Sequence, residues 1–281
     1  MEKLEPLISV CIPCYNSEKY IAQTIQSVLD QSIQNWELII VDNHSTDGTV
    51  KVVESFTDPR IRLVINIRNY GAPGNFNLAT QYTRGIYTKL LCADDLLYPT
   101  CLEEQATIFQ EYDNHGIRLS LVCSKRDFID DHGEKLFSGK GFNSAGGRID
   151  STRAIKQIVR SGTNPIGEPA SVLFRSDHFH KVGGFNENSA YMIDLDLWCR
   201  LLNLGDLYFI PKSLSAFRIA SKSWSAAIGK SQAQQATLFF KMLARSKPQT
   251  ISTFDLFISY FKLHLLAYLR QAFYIYLRYR K

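Results

Sequence analysis

Within the first hundred residues, short apolar runs alternate with helix-length amphipathic stretches, and each run ends abruptly in a polar loop. The runs are Leu7–Pro13, Trp36–Val41, Ile61–Ile65 and Lys89–Ala93. Between them, Ile21, Ile25, Val28 and Leu29 share one helical face. Val50, Val52 and Val53 mark a second helix, and Phe76, Leu78, Ala79 and Tyr82 a third. Strand–helix alternation at this spacing predicts a parallel, doubly wound α/β sheet flanked by helices. The runs are largely apolar, which suits strands covered on both faces. Sheets of this kind bind ligands at the carboxyl ends of their strands. The loops at those ends are therefore the candidate site: Cys14-Tyr15-Asn16-Ser17, Asp42 to Gly48, Asn69 to Gly74, and Asp94-Asp95.

The fourth run stops at two adjacent carboxylates, and Pro99 follows. Proline there reads as the first turn of the next helix. Paired carboxylates at a strand end suit a hard divalent cation, which takes oxygen ligands. A helix cap would also account for one of them. In the first loop, Asn16 or Ser17 reads as the cap of the helix that follows.

A chain of 281 residues can bury a sizeable core as one large or two small domains. Its net charge of +5 gives no reason to expect nucleic acid. Cys11 and Cys14 have metal-site spacing, but no second pair completes four ligands. The six cysteines read instead as small core residues in a reducing compartment. The first residues do not read as a secretory signal, and no apolar run approaches the ~20 residues of a membrane span. Further strands are expected at Leu119–Cys123, Ala170–Phe174, Leu207–Ile210 and Leu214–Arg218. Helices are expected around Leu102–Tyr112, Ile155–Ile158 and Leu195–Leu204, with a turn at Asp130–Gly133 and a mobile glycine-rich loop over Gly139–Gly147.

The character changes near Gly229, which divides the chain into residues 1–228 and a helical region, 229–281. The last stretch interleaves Phe254, Phe257, Tyr260, Phe261, Phe273 and Tyr276 with Lys262, Arg270 and Arg278. A wide apolar face with aromatic and basic residues suits a helix lying on a membrane surface. The alternative is a helix packed on the core or on a partner subunit.

Taken together, Ser9–Asn16, Glu37–Thr49, Ala93-Asp94-Asp95, Gly183-Gly184-Phe185, Asp194–Trp198 and Arg200-Leu201 closely resemble the family 2 glycosyltransferases, over roughly residues 7–225. The resemblance implies a GT-A fold and an inverting transfer from a nucleotide-diphosphate sugar, most readily a UDP-sugar. It makes Pro13, Tyr15 and Asn16 the first nucleotide-contact loop and Asp42 the partner of the base. Asp94 and Asp95 become ligands of Mn2+ or Mg2+, with Asp94 also on the donor, and Asp194 the catalytic base. Arg68, Asn69 and Asn75 are candidate donor contacts, or else surface-loop residues. Glu168 could hold a sugar hydroxyl or serve as a loop carboxylate. Arg218 and Lys222 could face the diphosphate. The acceptor implied is a glycan or lipid-linked glycan, and the setting the cytoplasmic face of a bacterial plasma membrane, in surface polysaccharide synthesis. Three positions depart from the family pattern: Cys92 for an acidic residue, Ile193 for Glu and Ala220 for His. They motivate an alternative, a catalytically idle sugar-nucleotide binder or assembly scaffold. A dinucleotide-dependent dehydrogenase is disfavoured, because no Gly-x-Gly-x-x-Gly follows the first strand.

Overall fold

The computed structural model describes residues 5–139, 141–142, 145–188, 192–219 and 232–279, and of residues 232 and 267–279 the backbone alone. Its first half is the expected alternation: β1 Ile8–Cys14, α1 Ile21–Leu29, β2 Trp36–Asp42, α2 Thr49–Glu54, β3 Ile61–Ile65, α3 Gly71–Gln81 and β4 Tyr87–Leu90. These four strands pair in parallel in the order β3-β2-β1-β4. Every residue of β1 and β2 is buried, as their largely apolar runs imply, and the polar Ser9 and Glu37 within them hydrogen-bond each other.

The second half adds β5 Leu96–Leu97, α4 Cys101–Asn114, β6 Leu119–Ile129, β7 Lys135–Ser138, β8 Gly147–Ile149, α5 Ser151–Ser161, β9 Val172–Arg175, α6 Ser176–Lys181, α7 Ile193–Leu201 and β10 Asp206–Arg218. The sheet continues as β4-β9-β6-β10-β5. Strand β9 runs antiparallel to both neighbours, and β10 runs parallel to β6. The result is one mixed sheet whose first four strands are parallel.

Several local expectations need correction. The two late strands are one, β10, with register shifts between Ile210 and Ser213 and between Ser213 and Ser215. Pro211 lies in that irregularity and has no N–H for the ladder, so the strand bulges there instead of ending. Cys14 belongs to β1, not to the loop. Neither Asn16 nor Ser17 caps α1, which has no side-chain cap. Pro99 stands ahead of α4, whose flanking residue is Thr100. The helix-cap reading of Asp94 and Asp95 also falls, because β5 intervenes and pairs with Ser215 and Ala216 of β10. Where it is described, the glycine-rich stretch is packed rather than free. Phe142 is buried with its ring 5.8 Å from that of Phe209, and Gly147 opens β8.

Two more helices follow, α8 Gln232–Ser246 and α9 Thr253–Tyr279. Ala236, Phe240, Ala244, Ile251 and Leu263 bury into the same apolar cluster as Phe174, Trp198 and Phe209. An ionic joint fixes the start of α9. Asp255, 1% exposed, accepts the Ser252 N–H and hydroxyl and pairs with Arg160 of α5 at 2.9 Å. Where α5 ends, Gly162 has φ 65°, and a Cβ there would lie 2.9 Å from Ser259 O and Leu263 N. Only glycine permits that left-handed turn and that approach of α9.

Candidate active site

The parallel strands bring their carboxyl ends, and the predicted loops, to one edge of the sheet. Residues after β1 and β2 are stitched together there. Asn16, held at φ 49°, accepts the Thr46 N–H at 2.8 Å and donates its own N–H to Ser45 Oγ at 2.9 Å. Such a left-handed position is tolerable for asparagine and marks a constrained loop. Tyr15 beside it is half-exposed, and Pro13 is buried in β1. Asp42 is fully buried and accepts the N–H (2.8 Å) and hydroxyl (2.5 Å) of Ser45.

A cluster of buried asparagines, which sequence reasoning did not assemble, supports this floor. Asn43 receives the Asn66 amide and the Tyr70 N–H, and donates to Asn69 and to the Gly71 carbonyl. Asn75 receives the Asn66 amide and donates to the Val41 carbonyl. Asn69 thereby serves as a loop support, while Arg68 is exposed over the Tyr70 ring, 4.9 Å from its centre. Asparagine at successive strand ends was the available signal, but only the fold shows that the three side chains meet.

The acidic residues converge at β4. Cys92 is acted on by the charges of Asp95, Asp94, Asp194 and Glu168. Three separate segments therefore meet at one place. Burial raises the Asp94 carboxyl above its ordinary range. Asp95, fully buried, is pushed well above it, by burial first and by Asp94 second. Asp194, in the first turn of α7, is raised to about 7, by burial first and by Glu168 second. The Cys92 thiol is pushed far up, chiefly by burial, and stays neutral; it is no cation ligand. Three buried carboxylate oxygens have no hydrogen-bond partner among the described residues, Asp95 Oδ2, Asp194 Oδ1 and Glu168 Oε2, the last lying in an ion pair. Unpaired buried acceptors of this kind are costly and call for a ligand or a proton.

No three His, Cys, Asp or Glu side chains among the described residues lie close enough to hold a metal on their own. The donor set nonetheless fits a cation that also takes oxygens from its substrate. Asp94 and Asp95 offer hard oxygen ligands, Asp95 Oδ2 is unpartnered, and the Asp94 charge opposes ionisation of Asp95, which a divalent cation would favour.

Arg218 brackets the pair. Its N–H donates to Asp95 Oδ1 at 3.0 Å and its Nε to the Asp94 carbonyl at 2.9 Å. Nη1 donates to the Asp130 carbonyl, Nη2 to Gln23, and the guanidinium lies 4.6 Å from the centre of the Tyr20 ring. At 1% exposure it braces the carboxylate turn from within the protein. Ala220, Lys222 and the stretch from Ser221 to Ser225 lie outside the described residues. Glu168 forms an ion pair with Arg126 of β6 at 2.5 Å, another partner no sequence motif announced.

A parallel half-sheet whose carboxyl-end loops carry an acidic pair, with a carboxyl raised to about 7 beside it, matches the GT-A glycosyltransferases. The profile described as Glycosyl transferase family 2 matches residues 9–183, more than half of the chain, and the chain belongs to that family. An uncharacterized glycosyltransferase of Rickettsia felis is 29% identical over 228 residues, covering 79% of this chain and 36% of its own. Among solved structures, S. aureus TarS 1–349 in complex with UDP-GlcNAc superposes with a TM-score of 0.65 at 18% identity, covering 84% of this chain and 65% of that fragment. A mannosyltransferase of Pyrobaculum calidifontis in complex with GDP-Man and Mn2+ gives 0.61 at 19%, over 95% of this chain and 70% of its own. The chain thus spans about a third of the Rickettsia protein, somewhat under two thirds of the TarS 1–349 fragment and 43% of the longer TarS chain.

Proposed function

We propose that this chain is a divalent-cation-dependent, inverting glycosyltransferase that moves a sugar from a nucleoside diphosphate sugar to a glycan or lipid-linked acceptor. The observation that carries the reading is that Asp94, Asp95 and Asp194, the last about a hundred residues on in sequence, all lie within electrostatic reach of Cys92. Asp194 is suited to take the proton of an acceptor hydroxyl as that oxygen attacks the anomeric carbon, because a base works best with a proton affinity near the working pH. The new bond forms on the face opposite the departing diphosphate, so the anomeric centre inverts. Mn2+ or Mg2+ on Asp94 and Asp95 would supply positive charge to that leaving group. Asp42 and the Pro13-Tyr15-Asn16 loop would hold the nucleotide, with Arg68 and Asn69 at its rim and Glu168 toward a sugar hydroxyl. A UDP-sugar is favoured, by analogy with the donor bound to TarS. The retained carboxylates favour a working enzyme over an idle binder or scaffold.

The test is a panel of UDP- and GDP-sugars with Mn2+, scored by nucleotide release with and without EDTA. Release from one donor, abolished by EDTA, is expected; no binding or turnover of any donor overturns the reading.

The same proposal places the enzyme on the cytoplasmic face of a bacterial plasma membrane, building surface polysaccharide. No described helix is long and apolar enough to cross a bilayer. The outer faces of α8 and α9 expose Leu238, Met242, Phe254, Phe257, Phe261 and Leu265, with Lys241, Arg245 and Lys262 among them. Apolar side chains flanked by cations suit an anionic lipid surface. Phe257→Glu with Phe261→Glu is expected to release the protein from sedimenting vesicles of mixed neutral and anionic lipid. Both side chains already face solvent, so its melting temperature should hold. Unchanged sedimentation overturns the membrane assignment.

A further inference from the structure

Arg126 belongs to none of the motifs that define the site, yet it is 8% exposed in the middle of a long strand. Burying a guanidinium is expensive, and a well-packed apolar side chain would serve stability as well. Its guanidinium lies 5.4 Å from the centre of the Phe128 ring, and its polar side-chain contacts run to one short segment, Asn164–Glu168. Nε lies 2.5 Å from Glu168 Oε2, and Nη2 donates to Glu168 Oε1 at 3.3 Å and to the Asn164 carbonyl at 3.5 Å. That segment is a closed turn. The Asn164 amide donates to the Gly167 carbonyl at 2.9 Å, and its Oδ1 accepts the Gly167 N–H at 3.1 Å. Gly167 sits at φ 110°, and a Cβ there would meet Ser171 Oγ at 2.2 Å, so the turn has one available shape.

The far side of the turn touches α7. Trp198 Nε1 donates to the Gly167 carbonyl at 3.1 Å. Trp198 is fully buried and lies four residues after Asp194, one helical turn along the same face. Strand β6, the turn and the helix that presents Asp194 are therefore joined in a single frame, with Arg126 at its fixed end.

The charged neighbours of this frame come from each element around it. Glu168 faces Asp194 from the turn, and Cys92 and Asp95 face Glu168 from the loop after β4. On α7 itself Asp196 is paired with Arg200 at 2.7 Å. Arg126 is the cation in contact with Glu168 among the described residues.

We propose that Arg126 is a positioning residue for the transfer step: its guanidinium sets where the Glu168 carboxylate and the Asn164–Glu168 turn stand against the helix that carries Asp194. The inference rests on the reading of Asp194 as the base. Arg126 touches no reacting atom and acts through Glu168. The guanidinium meets Glu168 through an ion contact at Nε and a hydrogen bond from Nη2, and its planar shape limits orientation as well as distance, which a lysine does not.

The test uses the full chain and the nucleotide sugar turned over in the donor panel. Arg126→Met and Glu168→Gln are each expected to lower kcat by about 100-fold, the scale of a small misplacement of reacting groups. The double variant is expected to lose no more than the worse single one, because both changes break one unit. Affinity for free UDP is expected to hold in all three. Arg126→Lys keeps charge without the planar shape and is expected to recover part of kcat. Should Arg126→Met fail to fold, the double variant, which leaves neither charge unpaired, and Arg126→Lys carry the comparison. Losses that multiply in the double variant, or equal loss of UDP binding, overturn this inference alone. A wild-type chain that transfers no sugar from any donor overturns the enzyme reading and this inference with it.

Discussion

Asp194→Asn is expected to lower kcat by about 10²- to 10⁴-fold, the usual contribution of a positioned base, while the protein still binds its donor and still folds. Asparagine preserves the shape of the first turn of α7 and removes the one atom set that can take a proton. The pH dependence gives a second check. Burial and the charge of Glu168 raise Asp194 to about 7, so kcat/KM of the wild type is expected to rise with pH through about 7 and then level. In the variant the residual rate should lack that step. The stability effect has the opposite sign from an ordinary loss of contacts. An unfolded aspartate titrates near 4 (about 3.9), so between that value and about 7 the folded chain holds a proton that the unfolded chain has released. This group's favourable contribution is complete below the unfolded value and declines as pH rises to the folded one. At pH 8 the ionised carboxylate is a burden on the fold, and Asp194→Asn is expected to melt at or above the wild type. A variant that melts lower at pH 8, or that keeps full transfer, would remove Asp194 as the base.

The sheet's first half was legible because its code is local. In β1 and β2 every residue is buried, and a strand covered on both faces has to be largely apolar along its length. The loops after these strands were legible for the same reason, since Asp42 and the Asp94-Asp95 pair interrupt apolar runs where nothing in a core would place them. Residues whose role is created by partners far away in sequence could not be read. Lys89 looked like the edge of an apolar run. It is fully buried, and its ammonium donates to Gln105 at 2.6 Å and to the Ala170 carbonyl at 3.1 Å. Arg218 carried the charge expected of a diphosphate contact, yet in the folded chain its donors bridge the Asp94 and Asp130 carbonyls and Gln23. Arg126 carried no signal, because its meaning depends on the turn at Asn164–Glu168 folding under β6. Long-range polar pairing has no period in the sequence. The bulge that makes β10 one strand was hidden likewise, since a proline inside an apolar run reads as a break until the partner strand is known.

The bracket that Arg218 forms around the acidic pair allows the pair to be tested without disturbing its frame. Asp95→Asn is expected to abolish the combined stabilising effect of Mn2+ and UDP while leaving the ligand-free melting temperature unchanged or higher. Arg218 reaches Asp94 through its backbone carbonyl and Asp95 through one oxygen, Oδ1. An asparagine at 95 keeps both contacts. What it removes is the charge on Oδ2, which is buried without a hydrogen-bond partner and lies beside the Asp94 carboxylate. In the ligand-free protein burial and the Asp94 charge hold the Asp95 carboxyl well above its ordinary range, against partial relief from Arg218, so a neutral amide there costs little. In the loaded protein the same charge is what a divalent cation would need. A ligand held at 100 times its dissociation constant adds about 2.7 kcal/mol, and each kcal/mol moves the midpoint by roughly 2–4 °C in a domain of 150–250 residues. Wild-type protein is therefore expected to melt about 5–10 °C higher with Mn2+ and UDP together, and that rise should vanish in Asp95→Asn and with EDTA. Asp94→Asn is expected to behave alike, because its contact with Arg218 is a backbone carbonyl that the substitution leaves in place. A wild-type rise that survives EDTA, or that Asp95→Asn retains in full, would show that nucleotide binds here without a cation on the pair. A fall in the ligand-free midpoint of Asp95→Asn would instead make the carboxylate a structural partner of β10, held for the fold and not for the donor.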